Sequence, residues 1–276
     1  MIPLVRRPCR SPERHRPVSV ALLACALATV LPYSTPVQAR APEHRTLVVV
    51  LDPGHGGQYI GASDATGTLV EKDLTLQVAL RAATDLRAMG YRVYLTRTRD
   101  QAADTPPRDL NHDGVINQAD DFDARTLFAD AHHANVFVSI HFDASGDPSV
   151  HGTHGYYCPA RPFWRDSLRL ATLLTASLSS SLRRASYASP DNGVQTDVAD
   201  VVPQERADYP WFLVLGPSKA HFITASMMPG ALIESLFLSS PRDASALRHA
   251  SIIAALARGY ADGIRSYFGG HTWVSY

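Results

Sequence analysis

Three short runs of apolar, mostly β-branched residues constrain the fold of this chain more than any other feature. They occupy residues 46–51, 135–141 and 231–236, and polar side chains stand at or near their ends. Continuous apolar runs of this length are typical of strands that are buried on both faces of a sheet. Such strands need helices on both sides, so the chain is predicted to form an α/β layer fold.

Helical periodicity separates these strands. Apolar residues recur at helical spacing over 72–89, and Gly90 stands where a helix commonly stops. The remaining predicted elements are helices over about 121–131, 164–184 and 243–268, short strands over 91–95 and 155–158, and a long polar loop over 186–209. The order of these elements predicts a single domain with a mixed, mostly parallel central sheet flanked by helices.

The first 39 residues are predicted to be a targeting segment. A basic stretch that ends at Arg16 precedes an apolar run at 18–31 and a Val-Gln-Ala sequence at 37–39. An apolar run of this length is too short to span a bilayer but suits a cleaved secretory signal. A retained membrane anchor and a lipid tether through Cys25 are the alternatives. We therefore expect residues 40–276 to form a periplasmic or extracellular protein with no stable membrane span after signal removal.

Charge argues against a nucleic-acid partner. Residues 1–39 hold five Arg and one Glu, so the rest of the chain has 21 basic and 25 acidic residues, a net charge of about −4. Nucleic-acid binding needs a basic face, which this balance does not favour. Of the three cysteines, only Cys158 lies beyond the predicted signal, so we expect no internal disulfide. Cys158 itself is predicted to be a half-buried strand residue.

Four side chains near the predicted strand ends suggest hydrolytic chemistry. His55 follows the first strand, His141 ends the second, Glu234 lies in the third, and Glu71 opens the first helix. Active sites of α/β sheets gather at the carboxyl ends of the strands. Two His and one carboxylate form a ligand set of catalytic zinc, and a further carboxylate takes the proton of the attacking water. Glu71 as the third ligand and Glu234 as the base would complete such a site.

Each of these residues has a simpler explanation when it is taken alone. His55 in a glycine-rich turn suits a surface position, and His141 suits a hydrogen-bonded position in the core. Glu71 stabilises a helix N-terminus through the helix dipole. Glu234 is harder to explain in this way, because a carboxylate inside an apolar strand is costly to bury unpaired. The functional interpretation therefore depends on the joint placement of the four residues.

The same residues lie in stretches that resemble the zinc-dependent N-acetylmuramoyl-L-alanine amidases, the family that includes cell-division and sporulation amidases. The four matching stretches are Val-Leu-Asp-Pro-Gly-His-Gly-Gly at 50–57, Glu-Lys-Asp-Leu at 71–74, Ser-Ile-His-Phe-Asp-Ala at 139–144 and Pro-Gly-Ala-Leu-Ile-Glu at 229–234. Leu-Thr-Arg at 95–97 and Arg125 fit the same family pattern. The resemblance covers residues 46–268, nearly all of the chain beyond the predicted signal.

The resemblance implies that His55, Glu71 and His141 bind zinc and that Glu234 is the catalytic base. The implied reaction is hydrolysis of the amide between N-acetylmuramic acid and L-alanine in peptidoglycan, on a fold of the amidase and zinc-peptidase type. The alternatives are a zinc carboxypeptidase or endopeptidase that acts on stem peptides, and a cell-wall-binding module without turnover. We expect a monomer whose partner is peptidoglycan, with the existence of an activator protein left open.

Residues 109–120 match the twelve-residue calcium-loop pattern. Gly114 stands at position six, where the loop must bend, and an apolar residue stands at position eight. The predicted ligands, one of them through its backbone carbonyl, are Asp109, Asn111, Asp113, Val115, Asn117 and Asp120. We predict a structural calcium ion in an insertion of the catalytic domain at 101–120. The alternative is a plain polar loop rich in Asp and Asn.

Overall fold

A computed structural model describes residues 46–198 and 208–269. One sheet contains the strands β1 (Val48–Pro53), β2 (Arg92–Leu95), β3 (Val136–Asp143), β4 (Thr153–Tyr157), β5 (Asp191–Thr196) and β6 (Gly230–Phe237). The helices are α1 (Glu71–Ala88), α2 (Gln118–Ala131), α3 (Trp164–Arg184), α4 (Pro241–Leu247) and α5 (Ala250–Gly269). The strand order is β2-β1-β3-β6-β4-β5, and every neighbouring pair is parallel except β4 with β6. The predicted fold class, a mixed and mostly parallel sheet flanked by helices, is confirmed.

Strand β1 shows why the central strands have continuous apolar sequences. Val49 and Leu51 face the side of the sheet on which α1, α3 and α5 pack. Val48 and Val50 face the other side, where α2 and the segment 209–228 contribute the opposing apolar residues. Because both faces are covered, successive residues of the strand are apolar, and not only every second one. The candidate functional residues lie mostly towards the carboxyl ends of these strands or just beyond them.

Two elements differ from the sequence prediction. Strand β5 lies inside the segment predicted as a loop; it is an edge strand that pairs only with β4, and all its residues are exposed or half-buried. The one apolar residue of β5, Val194, is only partly buried against the core, so the strand has no alternating hydrophobic pattern to identify it. The helix predicted over 243–268 is divided into α4 and α5 near Arg248, whose guanidinium lies 2.6 Å from Asp64 Oδ2.

The predicted signal at 1–39, with its alternatives of an anchor and a tether at Cys25, lies outside the described residues and stays a prediction. None of the helices in residues 46–198 and 208–269 combines the length and the apolarity that crossing a membrane requires.

Candidate metal centre

The topology brings the four candidate residues to one edge of the sheet. Strands β1, β3 and β6 are neighbours, and His141 of β3 is the register partner of Glu234 in β6. His55 stands two residues beyond the end of β1, and Glu71 is the first residue of α1. Side chains separated by as many as 179 positions in the sequence, from His55 to Glu234, therefore meet at the carboxyl ends of parallel strands.

His55, Glu71 and His141, called here the His–Glu–His group, gather around one point. The Nε2 atom of His55 lies 3.0 Å from Glu71 Oε2, and the Nδ1 atom of His141 lies 3.0 Å from Glu71 Oε1. One candidate ligand atom from each residue lies within 4.8 Å of the other two. In the described part of the chain, this is the only group of three or more His, Cys, Asp or Glu side chains with such spacing.

Glu71 is buried and held as an ionised carboxylate. Its Oε2 accepts the backbone N–H of Ala62 at 2.8 Å, and its Oε1 accepts that of Phe142 at 3.0 Å. Burial alone would raise the pKa of Glu71, but hydrogen bonds and charge from His141 and His55 outweigh it and lower the pKa below its ordinary value. Burial lowers the pKa of His55 despite its contact with Glu71. The group thus offers a carboxylate and two imidazoles, which fits a catalytic zinc site with an open coordination position.

Glycine makes room for two of these side chains. A Cβ atom on Gly54 would lie 2.3 Å from the ring of His141, and one on Gly61 would lie 2.3 Å from Glu71 Oε2. Gly61 also has φ +71°, a conformation that favours glycine. His55 itself adopts φ 61° without being glycine. Such left-handed residues cost free energy and cluster at functional sites, where the surrounding structure enforces them.

Two buried arginines hold the loop that carries His55. Arg125 donates from Nη1 to the carbonyl of Pro53 at 3.0 Å and from Nη2 to that of His55 at 2.8 Å. Arg97 donates to the carbonyls of Pro53 and Gly54 at 2.9 and 2.8 Å. Both arginines fit the family pattern in the sequence, but no local signal predicted these contacts with the loop backbone. The two guanidiniums fix the backbone from which the first imidazole projects.

Glu234 stands beside the His–Glu–His group with a carboxyl oxygen that has no partner. Glu234 as a whole is partly exposed, but its Oε2 atom is inaccessible to solvent and makes no hydrogen bond. Burial, followed by the negative charges of Glu71 and Asp143, raises the pKa of Glu234 well above its ordinary value. A buried carboxyl oxygen without a hydrogen bond costs free energy, and a hydrogen bond from a bound molecule would remove that cost. The same atom is suited to exchange a proton with a molecule that enters the site.

A second pair near Glu234 was not predicted from the sequence. His154 of β4 is the antiparallel register partner of Glu234, and its Nε2 lies 3.3 Å from Asp143 Oδ2 and 3.0 Å from the hydroxyl of Tyr156. Burial lowers the pKa of His154 and raises that of Asp143. Asp143 lies inside the Ser-Ile-His stretch, but His154 stands in no recognisable motif. Only the strand pairing places it beside the site.

The predicted calcium loop is organised by hydrogen bonds. Asp109 accepts the backbone N–H groups of Asp113 and Gly114 at 3.2 and 3.1 Å. Asp120 accepts three backbone N–H groups, including that of Asn117 at 2.8 Å, and so completes a capping box at the start of α2. The acidic side chains of the pattern are not gathered as the His–Glu–His group is, judged over residues 46–198 and 208–269. The sequence pattern is therefore also explained by a helix cap and a tight turn, and calcium binding stays a prediction.

Cys158 lies away from the His–Glu–His group. It is buried just beyond the end of β4, at 2% exposure, so the prediction of a half-buried strand residue is wrong in its degree of burial. Burial, with the neighbouring charge of Asp197, raises the pKa of the Cys158 thiol to about 12. A thiol with this pKa is not a nucleophile near neutral pH.

Comparisons with known proteins support the family that the sequence motifs resemble. Residues 49–266 match the family model of the N-acetylmuramoyl-L-alanine amidases. Two curated relatives are AmiC of Neisseria meningitidis, 29% identical over 249 residues that cover 85% of this chain and 56% of that protein, and the sporulation-specific amidase of Bacillus subtilis, 30% identical over 226 residues that cover 80% and 68%. The chain thus spans about half the length of AmiC, and it spans 35% of the length of LytC of Bacillus subtilis.

A solved structure extends the agreement to three dimensions. AmiC2 of Nostoc punctiforme is 27% identical, with a TM-score of 0.60, and the match covers 81% of this chain and 97% of that one. The matched region of the family model contains all four candidate residues. The chain belongs to the N-acetylmuramoyl-L-alanine amidase family.

Proposed function

We propose that this protein hydrolyses the amide between N-acetylmuramic acid and L-alanine in peptidoglycan. The observation that carries the proposal is the His–Glu–His group beside Glu234, whose Oε2 atom is buried without a partner. Family membership over residues 49–266 supports the same reaction. His55, Glu71 and His141 would hold zinc, since two imidazoles and one carboxylate leave a coordination position open.

The reaction needs a nucleophile, a polarised carbonyl and a proton carrier. When bound, zinc supplies Lewis acidity at the scissile carbonyl and lowers the pKa of water. Glu234 accepts the proton of the attacking water at Oε2 as the new C–O bond forms. It then gives that proton to the amide nitrogen as the C–N bond breaks, and the stem peptide leaves with L-alanine as its free N-terminal residue. Glu71 keeps the two imidazoles at a fixed separation throughout.

Product analysis tests this proposal. Purified protein with zinc should release peptides that begin with intact L-alanine from defined muropeptides, as read by mass spectrometry, and a zinc chelator should abolish the release. Shortened stem peptides still attached to the sugar would indicate a zinc carboxypeptidase or endopeptidase instead. Binding to peptidoglycan with no released product, in protein that carries zinc, would indicate a cell-wall-binding module.

We propose that the protein reaches its substrate by export, with cleavage after Ala39. The basic, apolar and small-residue order of residues 1–39 supports this, and peptidoglycan as substrate requires it. N-terminal sequencing of the exported protein should begin at Arg40. An N-terminus blocked by lipid at Cys25, or an intact N-terminus, would contradict cleavage. We expect the mature form to be a monomer.

We also propose that the loop 109–120 binds calcium, which the order of its oxygen-bearing residues supports. If it does, calcium should raise the melting temperature of the zinc-loaded protein, and a calcium-selective chelator should reverse the rise. Asp109→Asn should remove the response without changing the response to zinc. A melting temperature that is indifferent to both additions would leave the loop as a hydrogen-bonded turn with Asp120 as its helix cap.

A further inference from the structure

A row of buried polar side chains crosses the sheet behind the metal centre. Asp52 in β1 is fully buried and is the register partner of Ser139 in β3. Asp52 Oδ1 accepts the hydroxyl of Thr96 at 2.6 Å and Nη1 of Arg125 at 2.7 Å, while Oδ2 accepts the hydroxyl of Ser139 at 2.7 Å. The Oγ atom of Ser139 also lies 3.1 Å from Nε2 of His141. The row therefore connects a buried ion pair to one of the candidate zinc ligands.

The charge of Asp52 fixes the direction of these hydrogen bonds. Burial alone would raise the pKa of Asp52, but Arg125, Thr96 and Ser139 outweigh it and lower the pKa below its ordinary value. An ionised carboxylate only accepts hydrogen bonds, so the proton between Oδ2 and Ser139 belongs to the serine. A hydroxyl has one proton to donate. Ser139 therefore meets His141 as an acceptor.

This direction fixes the position of one proton on the His141 ring. The proton between Ser139 and His141 must be carried by Nε2, because Ser139 has already donated its own to Asp52. Nδ1 lies 3.0 Å from Glu71 Oε1, on the side of the His–Glu–His group, and in metal-free protein a proton on Nδ1 is donated to that carboxylate. A metal ion held by the group would replace this second proton, so the metal-loaded ring would keep its proton on Nε2 and bind through Nδ1.

We propose that Asp52 and Ser139 are positioning residues that hold His141 in the Nε2–H tautomer, so that Nδ1 is the metal-binding atom. Partners that fix the ring of a metal-bound histidine in this way raise metal affinity by about 10–100-fold. The inference rests on the proposed zinc site but not on the proposed substrate. It gives Asp52 and Ser139, which are not ligands themselves, a role in metal binding.

The sheet supplies a matched control. Thr96, just after β2, and Ser139 each donate a hydroxyl to the same carboxylate, from opposite sides of β1. Ser139→Ala and Thr96→Val therefore each remove one hydrogen bond to Asp52, but only the first removes the acceptor for His141. We expect Ser139→Ala to weaken zinc binding by about 10–100-fold, measured by competition with a chromophoric chelator. Thr96→Val should stay within about threefold of wild type, and Ser139→Thr should restore the affinity.

A second measurement needs zinc but no substrate. The ¹⁵N chemical shifts of the His141 ring, recorded on zinc-loaded protein, should show the proton on Nε2 and the metal-bound nitrogen at Nδ1 in wild type and in Thr96→Val. Ser139→Ala should show a mixture of tautomers. Melting temperatures of the metal-free variants check that each is folded.

The outcomes separate this inference from the proposed function. Wild-type protein that binds no zinc would overturn both the proposed zinc site and this inference. Zinc binding that falls equally in Ser139→Ala and Thr96→Val would overturn the positioning role and leave the amidase proposal intact. A His141 ring that is protonated on Nδ1 in zinc-loaded wild type would also overturn it.

Discussion

Replacing Glu234 with Gln is expected to reduce kcat for amide hydrolysis by about 10²–10⁴-fold, the usual contribution of a positioned general base. Gln has nearly the same shape but cannot accept the proton of the attacking water. Because Glu234 is not part of the His–Glu–His group, zinc affinity should stay within about threefold of wild type. Turnover of a defined muropeptide and zinc competition on the same preparation measure the two effects. An unchanged kcat would remove Glu234 from the mechanism.

The same substitution should stabilise the metal-free protein at neutral and alkaline pH. The pKa of Glu234 lies well above its ordinary value of 4.5 in the folded protein. Below pH 4.5 the carboxyl is protonated in both the folded and the unfolded chain and makes no difference to stability. Above that pH the unfolded chain releases the proton and the folded chain retains it, so the free energy of unfolding falls as pH rises. Glu234→Gln removes this loss.

Thermal unfolding in the presence of a chelator tests the sign. The melting temperature of Glu234→Gln should exceed that of wild type at pH 8, and the difference should shrink towards pH 4. Wild type that is equally stable or more stable at pH 8 would show that Glu234 has a partner in solution. The comparison is independent of catalysis, so it checks the electrostatics of the site directly.

The strands that frame the site can be predicted from the sequence, because burial of these strands determines which residues they contain. Strands β1, β3 and β6 are covered on both faces, so they have mostly apolar sequences. Their polar residues lie mostly in the carboxyl-terminal halves, with Ser139 as a buried exception. Strand β5 lies exposed at the sheet edge, and its Asp-Asn-Gly-Val-Gln-Thr sequence contains no pattern that distinguishes a strand from a loop. The amount of apolar surface that an element buries decides whether its sequence identifies it.

The surroundings of the site were less predictable than the candidate ligands. His154 approaches Glu234 only through the antiparallel pairing of β4 with β6, which no local pattern encodes. The loop 109–120 shows the converse, because the same Asp side chains suit a calcium site and a set of backbone hydrogen bonds. For Asp120 the structure has a capping box that accounts for the carboxylate. Pattern alone does not distinguish a cation from an N–H group as the partner of a carboxylate.

Replacing Glu71 with Gln is the second change with a large expected effect. In the metal-free protein it should lower stability, whereas Glu234→Gln should raise it. The folded pKa of Glu71 is lowered, so the ionised carboxylate stabilises the fold above pH 4.5, its ordinary value, and the contribution is lost as pH falls through the folded pKa. Glu71→Gln removes that charge and turns an amide N–H₂ towards the N–H of Ala62 or Phe142. At pH 8 this variant should therefore melt below wild type, whereas Glu234→Gln melts above it.

With zinc present, Glu71→Gln should lose both the metal and the activity. A lost ligand should cost more than the 10–100-fold in affinity that is typical of a supporting residue, and turnover should fall by at least about 100-fold. Asp73→Asn, an exposed acid in the same first turn of α1, is the matched control and should keep both. Zinc content by mass spectrometry and the rise in melting temperature on adding zinc measure the loss. Retention of one zinc per chain at wild-type affinity in Glu71→Gln would place the metal elsewhere.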